Sequence, residues 1–172
     1  MFGRRARSSS DGDSAAPVNL RAKAIGFLAR REHSRAEILT KLKRFSTDKA
    51  AIEALLDALT SENLLSERRA AQSIVRARSE RQGAMRVAGE LRARGIAGEL
   101  ADEVLRGLHE TEAVRARALW ERKFGVAAVD AQGRARQMRF LQTRGFATDV
   151  IRAVVPAVGP PGRNGAAFFD GN

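Results

Sequence analysis

A nine-residue segment that occurs twice, 50 residues apart, constrains the fold of this chain most strongly. RARGIAGEL spans Arg92–Leu100 and QTRGFATDV spans Gln142–Val150, and both place an apolar residue and Ala directly after Arg-Gly. The apolar anchors Leu42, Leu91 and Leu141 extend the pattern toward the N-terminus at spacings of 49 and 50 residues. A period in this range predicts stacked supersecondary units, each of which buries its apolar face partly on a neighbour.

Apolar residues recur at intervals of three and four along the middle of the chain, which predicts helices and no strand. Nine apolar stripes follow this spacing, so three modules of three helices account for all of them. In chain order the stripes are Leu20, Ala24, Phe27 and Leu28; Ile38, Leu42 and Phe45; Ile52, Leu55, Leu56 and Leu59; Ala70, Ile74 and Val75; Met85, Ala88 and Leu91; Leu100, Val104, Leu105 and Leu108; Val114, Ala118, Leu119 and Phe124; Ala135, Met138 and Leu141; and Val150, Ile151, Val154 and Val155.

Polar residues and glycines mark the helix boundaries. The segment Ser34–Glu37 reads SRAE, a capping box that predicts a helix start. Ser66 and Thr111 stand where N-caps are expected. Gly95 and Gly145 follow two stripes at positions where a left-handed residue commonly ends a helix.

We therefore predict an all-α fold in which three tandem three-helix repeats form an elongated, curved array. The predicted modules are residues 19–65, 66–109 and 110–155. Residues 1–18 are rich in Ser, Gly and Asp, and residues 156–172 hold three of the four prolines. Both ends are therefore predicted to be disordered tails.

Several function classes have little support in the sequence. No apolar run reaches about 18 residues and the N-terminus is polar, which predicts a cytoplasmic protein without a membrane partner. The absence of cysteine excludes thiolate chemistry, and His33 and His109 alone cannot form a tetrahedral metal site. No glycine-rich phosphate loop or catalytic triad is recognisable. We predict no catalytic residue, cofactor or metal, and an enzyme is the weakest interpretation.

The formal net charge of +11 indicates a polyanionic or acidic partner. Residues 19–155 carry +10 of it, with 27 Lys and Arg against 17 Asp and Glu, so the basic character belongs to the predicted modules. Most basic residues are Arg, which suits bidentate contacts with phosphate or carboxylate. A GC-rich genome would produce the same Arg excess, although it does not explain the net charge.

Four segments together resemble the RecX family of bacterial recombination regulators. They are LARREHSRAEILTKL (Leu28–Leu42), LLDALTSENLLSERRAAQSIVRAR (Leu55–Arg78), GAMRVAGELRARGI (Gly83–Ile96) and RFLQTRGFATDVIRAVV (Arg139–Val155). Each segment is short, but their order and spacing over Leu20–Val155 are fairly specific. The resemblance implies a stoichiometric protein, active in recombination, DNA repair and the SOS response, that binds along the RecA nucleoprotein filament and mainly inhibits it.

One segment departs from the family pattern. Family members often read GYLDDERFA after the first module, whereas this chain reads NLLSERRAA. Leu65 fills the apolar position, both acids before Glu67 are missing, and Arg69 or Ala70 replaces the usual Phe. We expect the fold to survive, and any partner contact of that acidic segment to be changed.

Basic residues recur at equivalent places in the modules, since Arg44, Arg94 and Arg144 are each 50 residues apart. Any single basic cluster is more often a solvated helix face, but a line of cations at module spacing could follow a phosphate backbone or an acidic filament ridge. The predicted partner-binding or DNA-binding residues are Arg30, Arg31, Lys41, Arg44, Arg92, Arg94, Arg139 and Arg144.

The predicted partners are the RecA filament and single-stranded DNA, the latter within the filament or weakly alone, with the protein acting as a monomer. The competing interpretation is a nucleic-acid-binding helical-repeat protein that acts on DNA or RNA independently of the recombinase. Basic character alone does not separate the two. Base stacking has little support, because there is no Tyr and most Phe positions, like Trp120, are expected in the core.

Overall fold

Nine α-helices form within residues 18–158, the part of the chain that the computed structural model describes, and this part contains no strand. The predicted tails lie outside these residues, apart from Val18 and residues 156–158. The helices are α1 (Leu20–Leu28), α2 (Arg35–Leu42), α3 (Lys49–Ser61), α4 (Glu67–Arg78), α5 (Ala84–Ala93), α6 (Gly98–Glu110), α7 (Glu112–Lys123), α8 (Ala131–Gln142) and α9 (Thr148–Val154).

Each consecutive set of three helices encloses its own hydrophobic core. Ile38, Leu42 and Leu56 belong to the core of α1–α3, which we call module 1. Leu91 lies in the core of α4–α6, module 2, and Leu141 in the core of α7–α9, module 3. The all-α fold of three three-helix repeats is confirmed, and the repeated leucine anchors are the fully buried centres of the three cores.

Most of the predicted helix boundaries are confirmed. Ser34 and Glu37 form both hydrogen bonds of the capping box, and the Ser66 hydroxyl caps α4. Gly95 and Gly145 adopt φ values of +77° and +79°, as a left-handed helix end requires. Thr111 makes no capping hydrogen bond, because it is the single residue between α6 and α7 and its hydroxyl donates back to carbonyls of α6.

Two helices bury a different face from the one predicted. In α5 the buried side chains are Ala84, Val87 and Leu91, while Met85 is 66% exposed. In α7, likewise, Val114 is exposed and other apolar residues are buried in its place. Both helices carry apolar residues on more than one face, so spacing alone could not select the buried one.

Candidate functional site

The repeated Arg-Gly connects each module to the module before it. The backbone carbonyl of Arg94 accepts a hydrogen bond from the Ser34 hydroxyl, at the N-terminus of α2. The carbonyl of Arg144 accepts one from the Gly83 N–H at 2.8 Å, at the N-terminus of α5. The loop after the middle helix of one module therefore docks on the start of the middle helix of the preceding module. We call these contacts junction 1 (modules 1 and 2) and junction 2 (modules 2 and 3).

Close backbone approach explains the glycine of each Arg-Gly. A Cβ on Gly95 would lie 2.6 Å from the Ala36 Cβ, and a Cβ on Gly145 would lie 2.5 Å from the Arg86 Cβ. The positive φ of both glycines disfavours other residues in addition. Phe45 stands where the other modules have glycine, and no module packs there within residues 18–158.

An acidic residue strengthens each junction by capping a helix of the preceding module. Glu67, the first residue of α4, accepts from the Arg35 N–H of α2. Glu112, the first residue of α7, accepts from the Ala84 N–H of α5 at 2.9 Å. The Glu112 side chain is only 2% exposed. Glu67, the acid retained in NLLSERRAA, thus makes an intramolecular contact.

The surface groove at junction 1 contains equal numbers of basic and acidic residues. It has a volume of about 150 Å³. Arg31 pairs with Glu37 at 2.7 Å, Arg78 pairs with Glu90 at 2.8 Å, and Arg94 pairs with Glu90 at 2.7 Å. We call it the first groove. Its charged lining residues are Arg31, Arg78, Arg94, Glu32, Glu37 and Glu90.

The pKa values of two of these carboxyl groups reflect the ion pairs. Burial opposes ionisation of Glu37, but hydrogen bonds from Arg31 and from the Ser34 N–H lower its pKa below the usual glutamate value. The hydrogen bond from Arg78, together with the charge of Arg94, lowers the pKa of Glu90 in the same way. The carboxylates are therefore ionised at neutral pH, and the first groove has no excess positive charge.

The groove at junction 2 is different, because its charged side chains are all basic. It has a volume of about 250 Å³, and its lining residues are Arg81, Leu119, Arg122, Lys123, Phe140 and Arg144. We call it the second groove. None of its cations forms an ion pair within residues 18–158. The Arg144 guanidinium lies 3.7 Å from the centre of the Phe140 ring and donates to the Phe140 carbonyl at 3.0 Å, which holds it in place.

A neighbouring opening continues the second groove along the surface. It has a volume of about 320 Å³ and shares Arg81 and Arg144 with the second groove. Arg86 joins the cations there and donates to the Thr143 carbonyl at 3.2 Å. The two openings together place five cations on a continuous surface at junction 2.

The eight residues predicted to bind a partner do not form a single site. Arg31 and Arg94 line the first groove, where both pair with carboxylates. Arg144 lines the second groove. Half-buried Lys41 lies 4.8 Å from the centre of the Phe27 ring.

The remaining four predicted residues are exposed. Arg30 follows α1 and Arg44 follows α2, each in a turn. Arg92 and Arg139 lie near the C-terminal ends of α5 and α8. They are accessible to a partner, and their placement on separate turns and helices distributes them over all three modules.

Three cations of the second groove are absent from the predicted set. Arg81 lies in the turn after α4, and Arg122 and Lys123 end α7. Each falls within a basic cluster of the sequence, but nothing in those clusters distinguishes it from solvated helix residues. A position-by-position comparison of the modules would have shown that Phe140 stands 50 residues after Glu90.

His33 and Trp120, whose side chains could serve in catalysis or base stacking, are engaged inside the protein. His33 is 3% exposed, its Nδ1 lies 2.9 Å from the Arg31 carbonyl, and burial lowers its pKa. Trp120 is buried and donates to Gln137 at 3.0 Å. Residues 18–158 contain no group of three metal-ligating side chains, and no helix among them has the length and apolar character to cross a membrane.

Family models match all three modules in order. The models describe the first three-helix domain of RecX over residues 21–59, the second over residues 66–105 and the third over residues 110–155. The regulatory protein RecX of Herminiimonas arsenicoxydans is 46% identical over 140 residues, which cover 81% of this chain and 93% of the relative. The chain belongs to the RecX family. The resemblance found in the sequence is therefore confirmed.

Further relatives agree with this assignment. The regulatory protein RecX of Leptothrix cholodnii is 45% identical over 138 residues, which cover 80% of this chain and 88% of the relative. The crystal structure of RecX from Lactobacillus salivarius matches with a TM-score of 0.64 at 21% identity, over 78% of this chain and 91% of that one. The curated relatives are named as regulatory proteins, and the crystal structure supports the shared fold.

Proposed function

We propose that this RecX-family protein binds along the RecA nucleoprotein filament and modulates, mainly by inhibition, its recombinase and ATPase activities in DNA repair, recombination and the SOS response. The observation that carries the proposal is the ordered match to three RecX domains, together with relatives named regulatory protein RecX that cover four fifths of the chain. In this proposal the protein acts stoichiometrically, as a cytoplasmic monomer without a cofactor or catalytic residue.

The arrangement of modules supports binding through several linked contacts. The predicted contact residues Arg30, Arg44, Arg92 and Arg139 are exposed on different modules. Contacts on linked modules reinforce one another, because binding of one raises the effective concentration of the next. Arg31, Lys41, Arg94 and Arg144 complete the proposed set, although Arg31 and Arg94 are already paired with carboxylates.

The experiment for this proposal is a titration of RecA-dependent ATP hydrolysis. RecA filaments preformed on single-stranded DNA with ATP receive increasing amounts of the protein, and hydrolysis is followed over time. We expect hydrolysis to fall as the protein approaches stoichiometric amounts relative to RecA. Unchanged hydrolysis at a saturating concentration would contradict the proposal.

The second groove favours one alternative, a protein that binds nucleic acid independently of RecA. Its four cations and lack of a lining carboxylate would also suit a bare single strand. Binding to bare DNA as tight as to the filament, with RecA hydrolysis unchanged, would support that alternative. The proposed function instead includes single-stranded DNA as a partner inside the filament and as a weak partner alone.

A further inference from the structure

The two grooves are equivalent positions of the internal repeat. Arg81, Phe140 and Arg144 of the second groove each lie 50 residues after Arg31, Glu90 and Arg94, which line the first. The remaining lining residues of the second groove, Leu119, Arg122 and Lys123, lie 45 residues after Ile74, Ala77 and Arg78, which also line the first. The same backbone framework therefore presents two different sets of side chains.

The second groove has lost every carboxylate of the first. The positions of Glu32, Glu37 and Glu90 are occupied by Gln82, Val87 and Phe140. The three cations of the first groove are retained as Arg81, Lys123 and Arg144, and Arg122 adds a fourth where the first groove has Ala77. The cations of the first groove are therefore balanced by carboxylates, whereas those of the equivalent second groove are not.

We propose that the second groove binds the phosphodiester groups of a single nucleic-acid strand. This inference rests on the proposed function, which names the single strand within the RecA filament as the partner. Guanidinium groups form bidentate hydrogen bonds with phosphate, and the opening shared through Arg81 and Arg144 continues the cations along a path that suits a linear polyanion.

The shape of the groove favours a phosphate backbone over bases or an acidic protein face. Arg144 covers one face of the Phe140 ring at 3.7 Å, so that ring face is not free to stack on a base. A recess of about 250 Å³ admits a phosphate and part of its sugar, whereas a flat acidic protein surface would meet only the rim. The groove should therefore bind single strands with little sequence preference.

The test measures binding of fluorescent single-stranded oligonucleotides to the full chain at several salt concentrations. The groove variant is Arg81→Ala/Lys123→Ala, which removes two exposed side chains without ion pairs in residues 18–158. The matched control is Arg76→Ala/Arg106→Ala, which removes the same charge from exposed positions of α4 and α6 outside both grooves. Circular dichroism establishes that both variants retain the helical fold.

We expect the groove variant to lose about tenfold in affinity at about 50 mM salt, with a log-log salt slope shallower by about 1.4, because two phosphate contacts are lost. The control should stay within about twofold of the wild type. A second variant, Gln82→Glu, restores the carboxylate found at Glu32 and should weaken binding about threefold. Equal losses in the groove variant and the control would overturn the proposal, as would undetectable binding by the wild type.

The same variants separate this inference from the proposed function. If the groove variant loses filament binding and keeps its affinity for bare strands, the groove contacts an acidic protein surface and the phosphodiester assignment is wrong. If the wild type leaves RecA hydrolysis unchanged while the groove variant alone loses binding to bare strands, the proposed function fails and the groove assignment stands.

Discussion

Junction 1 and junction 2 share a backbone design and differ in the charge that surrounds it. At both, a carbonyl of an Arg-Gly loop and a glutamate of the next module satisfy the N-terminus of a middle helix. At junction 1, Glu37 and Glu90 pair with the three arginines of the groove, and Glu32 is a third lining carboxylate. At junction 2, the corresponding positions hold no carboxylate. The contacts that join modules are thus repeated, while the side chains lining the groove have diverged.

The difference also separates two uses of arginine in this basic protein. Arg78 and Arg94 pair with Glu90 inside module 2, and Arg94 also reaches Glu37 of module 1 at 3.4 Å. Both arginines therefore offer little charge to a partner. Arg81 and Arg122 have no such carboxylate within residues 18–158 and face a groove open to solvent. Net charge alone therefore overstates the number of cations available to a polyanion.

The largest expected effect comes from filling the backbone contact of junction 2. In Gly83→Ala the new Cβ would lie 2.2 Å from the Gly145 carbonyl oxygen, so the loop must move away from α5. We expect a loss of about 3 kcal/mol in unfolding free energy, the upper range for overpacking. Chemical denaturation measures it.

The control for that change is Gly89→Ala in the interior of α5, where a Cβ meets nothing within 4 Å. It should stabilise the protein by about 0.5–1 kcal/mol, because alanine favours the helix. Equal effects of the two substitutions would show that junction 2 does not depend on the close approach at Gly83.

Removal of the inter-module caps should affect junction 2 more than junction 1. Glu112→Ala leaves the buried Ala84 N–H without its partner, and Gly83 offers no side-chain cap, so we expect a loss of about 2 kcal/mol. Glu67→Ala should cost about 1 kcal/mol, because Ser34 still caps α2. Thermal unfolding of the two variants in parallel compares their losses in unfolding free energy. A larger loss for Glu67→Ala would contradict this account of the caps.

A change at junction 1 should make its groove more like the second. Glu90→Gln removes the carboxylate shared by Arg78 and Arg94, and we expect affinity for single-stranded DNA to rise about threefold at about 50 mM salt. The control Glu103→Gln, which makes the same charge change in an exposed pair with Arg68, should alter affinity less than twofold. An identical rise in both variants would mean that overall charge, and not the groove, governs binding.

The smallest expected effect is on the pH dependence of stability. Ion pairing lowers the pKa of Glu37 and Glu90 in the folded state, so their contribution is fully present above the unfolded value, about 4.3, and is lost as pH falls through the folded values. Glu37→Gln/Glu90→Gln should therefore show a smaller fall in melting temperature than the wild type between pH 6 and pH 3. An unchanged acid sensitivity would show that the ion pairs of Glu37 and Glu90 add no stability.

The helices and the repeat could be predicted from the sequence because their signals are local. Leucine anchors, the Ser34 capping box and the glycines that end α5 and α8 depend on nearby residues. Local patterns did not select the buried faces of α5 and α7, where apolar residues lie on more than one side. They also placed a cap at Thr111, because they could not show that α6 and α7 are nearly continuous.

The grooves could not be predicted because they depend on residues that meet only across a junction. Arg94 and Arg144 occupy equivalent positions in the sequence, and each meets the residue four positions earlier, Glu90 or Phe140. Only Arg94 also meets a carboxylate across a junction, that of Glu37. Which cations are compensated is decided by partners up to 57 residues away. The recurrence of Arg-Gly was visible in the sequence. Its role in joining modules could be recognised only once the position of the preceding module was known.

The most direct test of the regulatory account compares binding of the wild-type protein to preformed RecA–ATP filaments and to bare single-stranded DNA of the same length, at about 50 and about 200 mM salt. The account predicts tight binding to the filament at both salt concentrations and weak, strongly salt-dependent binding to the bare strand. Equal affinity for the two, with the same steep salt dependence, would contradict it and indicate a nucleic-acid-binding protein that acts without the recombinase.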